Sequence, residues 1–419
     1  MNARTTGVER GRMHIQGFSE PEMEFQLQRG LGAASYGGAS IGELLVAAER
    51  IRGLAAAQDS IERDPAGCWV QAHAELGAYV EGLGREALAK GHAISARDHL
   101  LRASMYYRAA EYYCDPHEPD HQRWGMASRQ AFILGAGQLA ASFRAVEIPY
   151  ENAFIPAYFL QPDDTSPAPR KTLILNTGFD GSSEELYFTG GRAGLERGYN
   201  VLLIDGPGQT GMTRLHPQIK FRPDWEVPIK AVVDWLSAQP SVDMQRLGLY
   251  GISLGGYFST RAACFEPRIR ALVVNSPIVD LKAYELGFFP AEVVNDPPEL
   301  RREWMASLSR SELPDNLRSL LKIAFFRFGT DSLRDWLEML SAFQATPYLH
   351  QIKIPCLSMV GEAEGGEPHA QAEVFASQVA GPVTRRVFRY DEGADAHCQV
   401  GNLPLSLAVL YDWLDEVFT

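Results

Sequence analysis

The stretch "LGLYGISLGGYFSTRAACFEPRIRALVVNSP" (247–277) places Ser253 inside a Gly-X-Ser-X-Gly-Gly turn. An apolar run precedes the turn and an Ala-rich segment follows it. A lone GxSxG is a weak pattern, but the strand–turn–helix context is what a serine nucleophile requires. Glycines let the backbone turn sharply, and the N-terminus of the following helix offers partial positive charge toward an oxyanion. The structural alternative is a tight turn that merely needs small residues. A serine hydroxyl needs an adjacent base at neutral pH, and in sites of this kind acid and histidine follow the serine in that order. Of ten histidines, His397 in "DEGADAHCQVGN" fits the last place, in a polar loop before the C-terminal helix. The acid is sought in "GEAEGGEPH", after the strand "CLSMV". Spacing of three residues from the strand-ending glycine selects Glu364, with Glu362 the second choice. Asp391 and Asp395 lie too near His397 in the chain to be presented by a separate loop.

An oxyanion hole is expected from the loop "LNTGFDGSS" together with the residue after the nucleophile. This selects the backbone N–H groups of Phe179 and Leu254, with Gly178 allowing close approach of substrate. A turn capped by Asp180 or Ser182 fits the same residues. "DGPGQTGMT" has neither the Lys-Ser/Thr of a P-loop nor a dinucleotide fingerprint, and is read as a structural turn. No HExxH, EF-hand loop or His/Cys cluster appears, so neither a metal nor a cofactor is called for.

The elements that must position these residues change character near residue 145. Before it, "IGELLVAAERIRGL", "WVQAHAELGAYVEGLGREALAKG" and "SARDHLLRASMYYRAAEYYCDP" repeat apolar residues at helical spacing. Ser95 and Asp98 resemble a capping box opening the third segment. From residue 144 the signals are β-type. A hairpin turning at "EN" is followed by apolar runs at 172–178, 200–208, 246–253, 271–277, 355–362 and 385–390. Amphipathic stretches separate these runs, implying a mainly parallel sheet covered on both faces. Residues 1–143 therefore form a helical domain and 144–419 an α/β domain. Residues 280–350 form a helical, lid-like insertion.

The 419 residues carry a formal net charge of −13, with 46% hydrophobic and 22% charged residues. There is no basic block, which argues against nucleic acid or an anionic membrane as partner. The first twenty residues lack a signal-peptide core, and no apolar run is long enough to span a membrane. Five scattered cysteines argue against a disulfide framework. A cytoplasmic enzyme acting on a small molecule is expected. The long helices of the first 140 residues leave room for a homodimer.

"GISLGGY…AACFEPRIRA", "LIDGPGQ", "ADAHCQVGN" and "RASMYYRAAEYY" together resemble the α/β-hydrolase superfamily. They resemble most its branch of 2,6-dihydroxypseudooxynicotine hydrolase, fungal yellowish-green 1 pigment hydrolases and FrsA-like enzymes. The resemblance implies an α/β-hydrolase core, an N-terminal helical cap over the site and a Ser–acid–His triad at Ser253, Glu364 and His397. Many relatives use Asp where this chain has glutamates, and "DGPGQTG" departs from the usual "DGPGQG". The resemblance further implies acyl-enzyme chemistry on an aromatic, alkaloid or polyketide-like substrate, with cleavage of a carbon–carbon bond flanked by carbonyls. Ester or amide cleavage, acyl transfer or elimination would use the same parts, and a non-catalytic ligand-binding protein is the reading of another class. Asp280 and Glu285 are candidates for proton handling, with a helix cap or surface charge as the plainer role. Tyr106, Tyr107, Tyr112 and Tyr113 cannot all face one way, since adjacent helical residues diverge by about 100°, and Tyr106 or Tyr107 is expected to line the pocket.

Overall fold

The computed structural model describes residues 7–11, 15, 17–58, 64–162, 168–288 and 315–419, with side chains omitted at 315–320. Much of the expected insertion, residues 289–314, lies outside the described residues. Five helices come first: α1 (Pro21–Ala33), α2 (Ile41–Ala57), α3 (Pro65–Ala89), α4 (Ala93–Tyr113) and α5 (Pro119–Ala136). Asp64 caps α3 by accepting from the Gly67 N–H at 2.9 Å, and Pro65 supplies the fixed φ of a first helical turn. The capping box at Ser95 is corrected: α4 begins two residues earlier, with His92 as its uncapped N-cap, so Ser95 lies inside the first turn.

The strands are β1 (Ser142–Tyr150), β2 (Ala153–Gln161), β3 (Arg170–Asn176), β4 (Asn200–Ile204), β5 (Val242–Ile252), β6 (Ala271–Asn275), β7 (Cys356–Gly361) and β8 (Val383–Phe388). They form one sheet in the order β1-β2-β4-β3-β5-β6-β7-β8. β1 pairs antiparallel with β2 across the Glu151–Asn152 turn, β2 antiparallel with β4, and every later pairing is parallel. This is the α/β-hydrolase fold that the resemblance implies. Successive strand residues divide between two cores, because side chains alternate across a sheet. Ile174, Leu202, Leu272 and Val274 join one face, and Leu173, Leu175, Val201 and Val273 the other. The first face is covered by α9 (Glu226–Ser237) and α10 (Gly255–Phe265), the second by α15 (Leu403–Val417). No helix of the described residues is long and apolar enough to cross a membrane.

The strand order reverses between β3 and β5, so the loops leaving their carboxyl ends part and open a crevice there. The helical domain is fastened nearby by buried charge. Arg214, on the short helix α8 (Thr210–Leu215), donates to Glu111 of α4 at 2.8 and 2.5 Å and to Glu184 at 2.9 Å. Arg214 and Glu184 are fully buried, and Tyr158 of β2 donates to the other Glu184 oxygen at 2.6 Å. Replacing Arg214 by Leu would strand two buried carboxylates. A loss of about 3–5 kcal/mol is expected, read as a fall in the urea midpoint of unfolding.

Candidate active site

β5 ends at Ile252 and α10 starts at Gly255, leaving two residues for the reversal. Ser253 takes a left-handed φ of 58°, which non-glycine residues rarely adopt. The packing around it admits no side chain at two neighbours. A Cβ on Gly251 would lie 2.1 Å from the Gly255 carbonyl oxygen, and one on Gly256 would lie 1.8 Å from that of Ser276. The Ser253 N–H donates to the Asn275 carbonyl at 2.5 Å, tying the turn to the end of β6.

His397 lies in the loop between β8 and α15, and its Nε2 is 2.8 Å from Ser253 Oγ. Its Nδ1 is 2.6 Å from Oε2 of Glu364, which follows β7. Glu364 is fully buried and also accepts from the Gly361 N–H and the Ser276 hydroxyl, each at 2.6 Å. Burial opposes its ionisation, but His397 and these donors outweigh burial and lower its pKa. Burial likewise opposes charge on His397, yet Cys398 and Glu364 beside it raise the imidazole to about 9. Glu362, the second choice for the acid, is exposed and accepts instead from the Tyr390 N–H at 3.1 Å.

The loop after β3 abuts the serine turn. A Cβ on Gly178 would lie 2.8 Å from Ser253 Cβ and 2.9 Å from the Leu254 nitrogen. Here the glycine admits the serine turn itself. Among the described residues the N–H groups of Phe179 and Leu254 donate to no protein group. Ser182 caps the following short helix, whereas Asp180 pairs with Arg29 of the distant α1 at 2.6 Å. The "DGPGQTG" turn buttresses this loop, since Gln209 Nε2 donates to the Thr177 carbonyl at 2.5 Å and Asp205 accepts the Ser183 N–H at 2.9 Å.

Ser253 and His397 open onto a cavity whose wall includes Phe25 and Arg29 of α1, Gly178, Leu186, Cys398 and Leu403. The expectations for Tyr106 and Tyr107 are corrected. Tyr106 is turned into the helical domain, where its hydroxyl donates to Glu43 at 2.5 Å and accepts from the Ser40 N–H. Tyr107 stacks on Trp124 and donates to Glu81. Asp280 takes the plainer role expected of it, capping α11 (Leu281–Leu286) through the Ala283 N–H at 3.0 Å, and is absent from this wall. Glu285 is absent from this wall but buried, and burial, opposed by Arg10, raises its carboxyl to about 7. Sequence reasoning missed α1, Ser276, Gln209 and Arg10. Of these only Gln209 carried a signal, the "DGPGQ" run.

A family model described as esterase FrsA-like matches residues 55–288. Hydrolase LUC6 of a Fusarium species is 32% identical, over 97% of this chain and 98% of its own length. The 20-hydroxy-prefusarin hydrolase FUS2 of Gibberella moniliformis is 30% identical, over 96% and 97%. The crystal structure of 2,6-dihydroxy-pseudo-oxynicotine hydrolase superposes with a TM-score of 0.70 at 20% identity, over 92% of this chain and 95% of that one.

Because Gly178 meets backbone atoms that cannot yield, Gly178→Ala is expected to destabilise the fold by about 1–3 kcal/mol. Chemical denaturation of the two proteins measures it.

Proposed function

We propose that this chain, which belongs to the FrsA-like esterase family of hydrolases, uses Ser253 as a covalent nucleophile, His397 as general base and acid, and Glu364 as the group that orients His397. The single observation carrying this is the unbroken hydrogen-bonded line from Ser253 Oγ through the imidazole to a buried carboxylate. As Oγ attacks a substrate carbonyl carbon, its proton passes to His397 Nε2. The tetrahedral oxyanion is met by the N–H groups of Phe179 and Leu254, which have no protein acceptor among the described residues.

The substrate class proposed is a small aromatic, alkaloid or polyketide-like β-dicarbonyl compound. Collapse of the oxyanion breaks the carbon–carbon bond, leaves the acyl group on Ser253 and expels an enolate. The imidazolium then protonates that enolate at carbon. Water, deprotonated by His397, attacks the acyl-enzyme and releases a carboxylic acid. Apolar Phe25, Leu186 and Leu403 beside the serine suit such a substrate. Ester hydrolysis is the second reading, favoured by the esterase description of the matched family.

Ser253→Ala is expected to lower turnover by about 10⁴-fold or more while the fold persists. In wild type, mass spectrometry after exposure to aryl β-diketones should find an acyl adduct on Ser253. Retained activity in the alanine variant refutes the covalent route, and efficient turnover of nitrophenyl esters without diketone cleavage favours the ester reading.

A base must be neutral to accept the serine proton. With the folded-state imidazole raised to about 9, the neutral fraction grows as pH rises, so the rate of Ser253 labelling by a fluorophosphonate should climb from neutrality into the alkaline range. Cys398→Ser removes the sulfur beside the ring that raises the imidazole and is expected to shift that limb to lower pH. A flat profile in both proteins would contradict the proposed base.

A further inference from the structure

Residues 7–11 form a strap against the loops that carry Glu364 and His397. The Val8 N–H donates to the Gly287 carbonyl at 3.0 Å, and the Glu9 N–H donates to the carbonyl of Glu364 at 2.9 Å. The His397 N–H donates to the Arg10 carbonyl at 2.9 Å. Val8 also forms an antiparallel bridge with Gly365. The surfaces in contact are cut for each other. A Cβ on Gly365 would lie 2.0 Å from the Gly7 carbonyl oxygen, and one on Gly11 would lie 2.7 Å from Ala396 Cβ.

The strap carries Arg10 into the wall of the cavity that holds Ser253 and His397, and also into the outer cleft beside Phe288. Charge around the cavity is unequally spent. Arg29 holds Glu185 at 2.6 and 2.5 Å and Asp180 at 2.6 Å. Arg108 adds ion pairs to Asp180 at 3.4 Å and Glu185 at 3.5 Å, so two arginines neutralise two acids. Arg10 has instead a long contact of 3.9 Å from its Nε to Glu22. Glu22 accepts from Tyr112 at 2.7 Å and Gln26 at 2.9 Å through Oε1, and it is its Oε2 that faces Arg10. The Arg10 Nε has no hydrogen-bond partner among the described residues, and the guanidinium lies over the rings of Phe25 and Phe288 at 5.2 and 5.4 Å.

We propose that Arg10 is a specificity-determining residue that binds an anionic oxygen of the substrate, a carboxylate or the enolate of a 1,3-dicarbonyl. This rests on Ser253 being the nucleophile and narrows the substrate class proposed above. A guanidinium flanked by two rings and held by a carboxylate only at 3.9 Å keeps donors for a ligand, and its planar fork matches two oxygens of a carboxylate or of a 1,3-dicarbonyl enolate.

The test measures fluorophosphonate labelling of Ser253 in the full chain, with benzoate, acetylacetone or benzamide as competitor. In wild type at least one of the two ionisable competitors should slow labelling roughly tenfold more than the neutral benzamide at equal concentration. Protection by benzoate marks a carboxylate site, and protection by acetylacetone that grows as the diketone ionises marks an enolate site. Arg10→Met should abolish the preference and Arg10→Lys should restore part of it. A merely structural role for the strap would change labelling equally with every competitor. Equal protection by all three in wild type, or a preference that survives in Arg10→Met, overturns the assignment. Wild-type protein whose Ser253 does not label without competitor overturns the nucleophile beneath it instead, and so separates the two failures.

Discussion

Asn275, the last residue of β6, holds two strained turns in place at once. Its carbonyl accepts the N–H of Ser253, whose φ of 58° is left-handed, and its amide donates to the Gln399 side chain at 2.8 Å. Cys398 and Gln399 are themselves left-handed, at φ of 55° and 50°, directly after His397. Each such residue costs of order 1–3 kcal/mol and persists only where its surroundings over-determine it. Asn275 lies in the parallel register between β5 and β7, paired with Ile252 on one side and Met359 on the other. The serine turn and the histidine loop, far apart in sequence, are thus referred to one point of the sheet. The 2.8 Å contact between imidazole and hydroxyl follows from that shared anchor.

The acid is placed by a different kind of force. Glu364 is buried and ionised, which its three donors make tolerable: the Gly361 N–H, the Ser276 hydroxyl and the imidazole. Ser276 follows Asn275 directly, so the same turn after β6 that anchors the serine also positions the carboxylate. The helical domain reaches the site through α1, whose Phe25 and Arg29 enter the cavity wall, and is held there by Arg29 with Asp180 and Glu185. With Arg214 gripping Glu111 and Glu184, the domain is fixed to the sheet by paired charges, which demand one geometry where apolar contact would accept several.

These forces explain what was legible in the sequence. Ser253 and His397 were readable because their local requirements are written beside them, in glycines and in a polar loop before a helix. Glu364 was readable by its distance from a strand-ending glycine. The strands were readable because burial on both faces makes their apolar runs continuous. Tyr106 and Tyr107 were misplaced because α4 is surrounded, so its periodicity does not say which partner each face meets; Glu43 and Glu81 decided that. The start of α4 was misjudged because a side-chain pattern that can cap a helix also fits within its first turn. The role of Arg10 had no local signal at all, since it depends on a strap whose partners lie more than 270 residues further along the chain.

Ester and carbon–carbon cleavage part company at one step, and the electrostatics of the cavity bear on it. An alkoxide leaving group can be protonated on oxygen as the bond breaks. A carbanion must first spread its charge onto a neighbouring carbonyl oxygen and is then protonated at carbon. The enolate therefore persists for the interval before proton transfer, and the pocket has to hold its negative oxygen without consuming it. A permanently charged guanidinium does this where a neutral donor would do it less well, because Arg cannot give up its proton to the enolate. In the proposed carbon–carbon route, His397, raised by its neighbours, would hold its proton until it is delivered to carbon. An arginine held only at 3.9 Å by a carboxylate, a histidine biased toward the imidazolium and a serine fixed by a strained turn would thus suit the enolate leaving group of the proposed reaction.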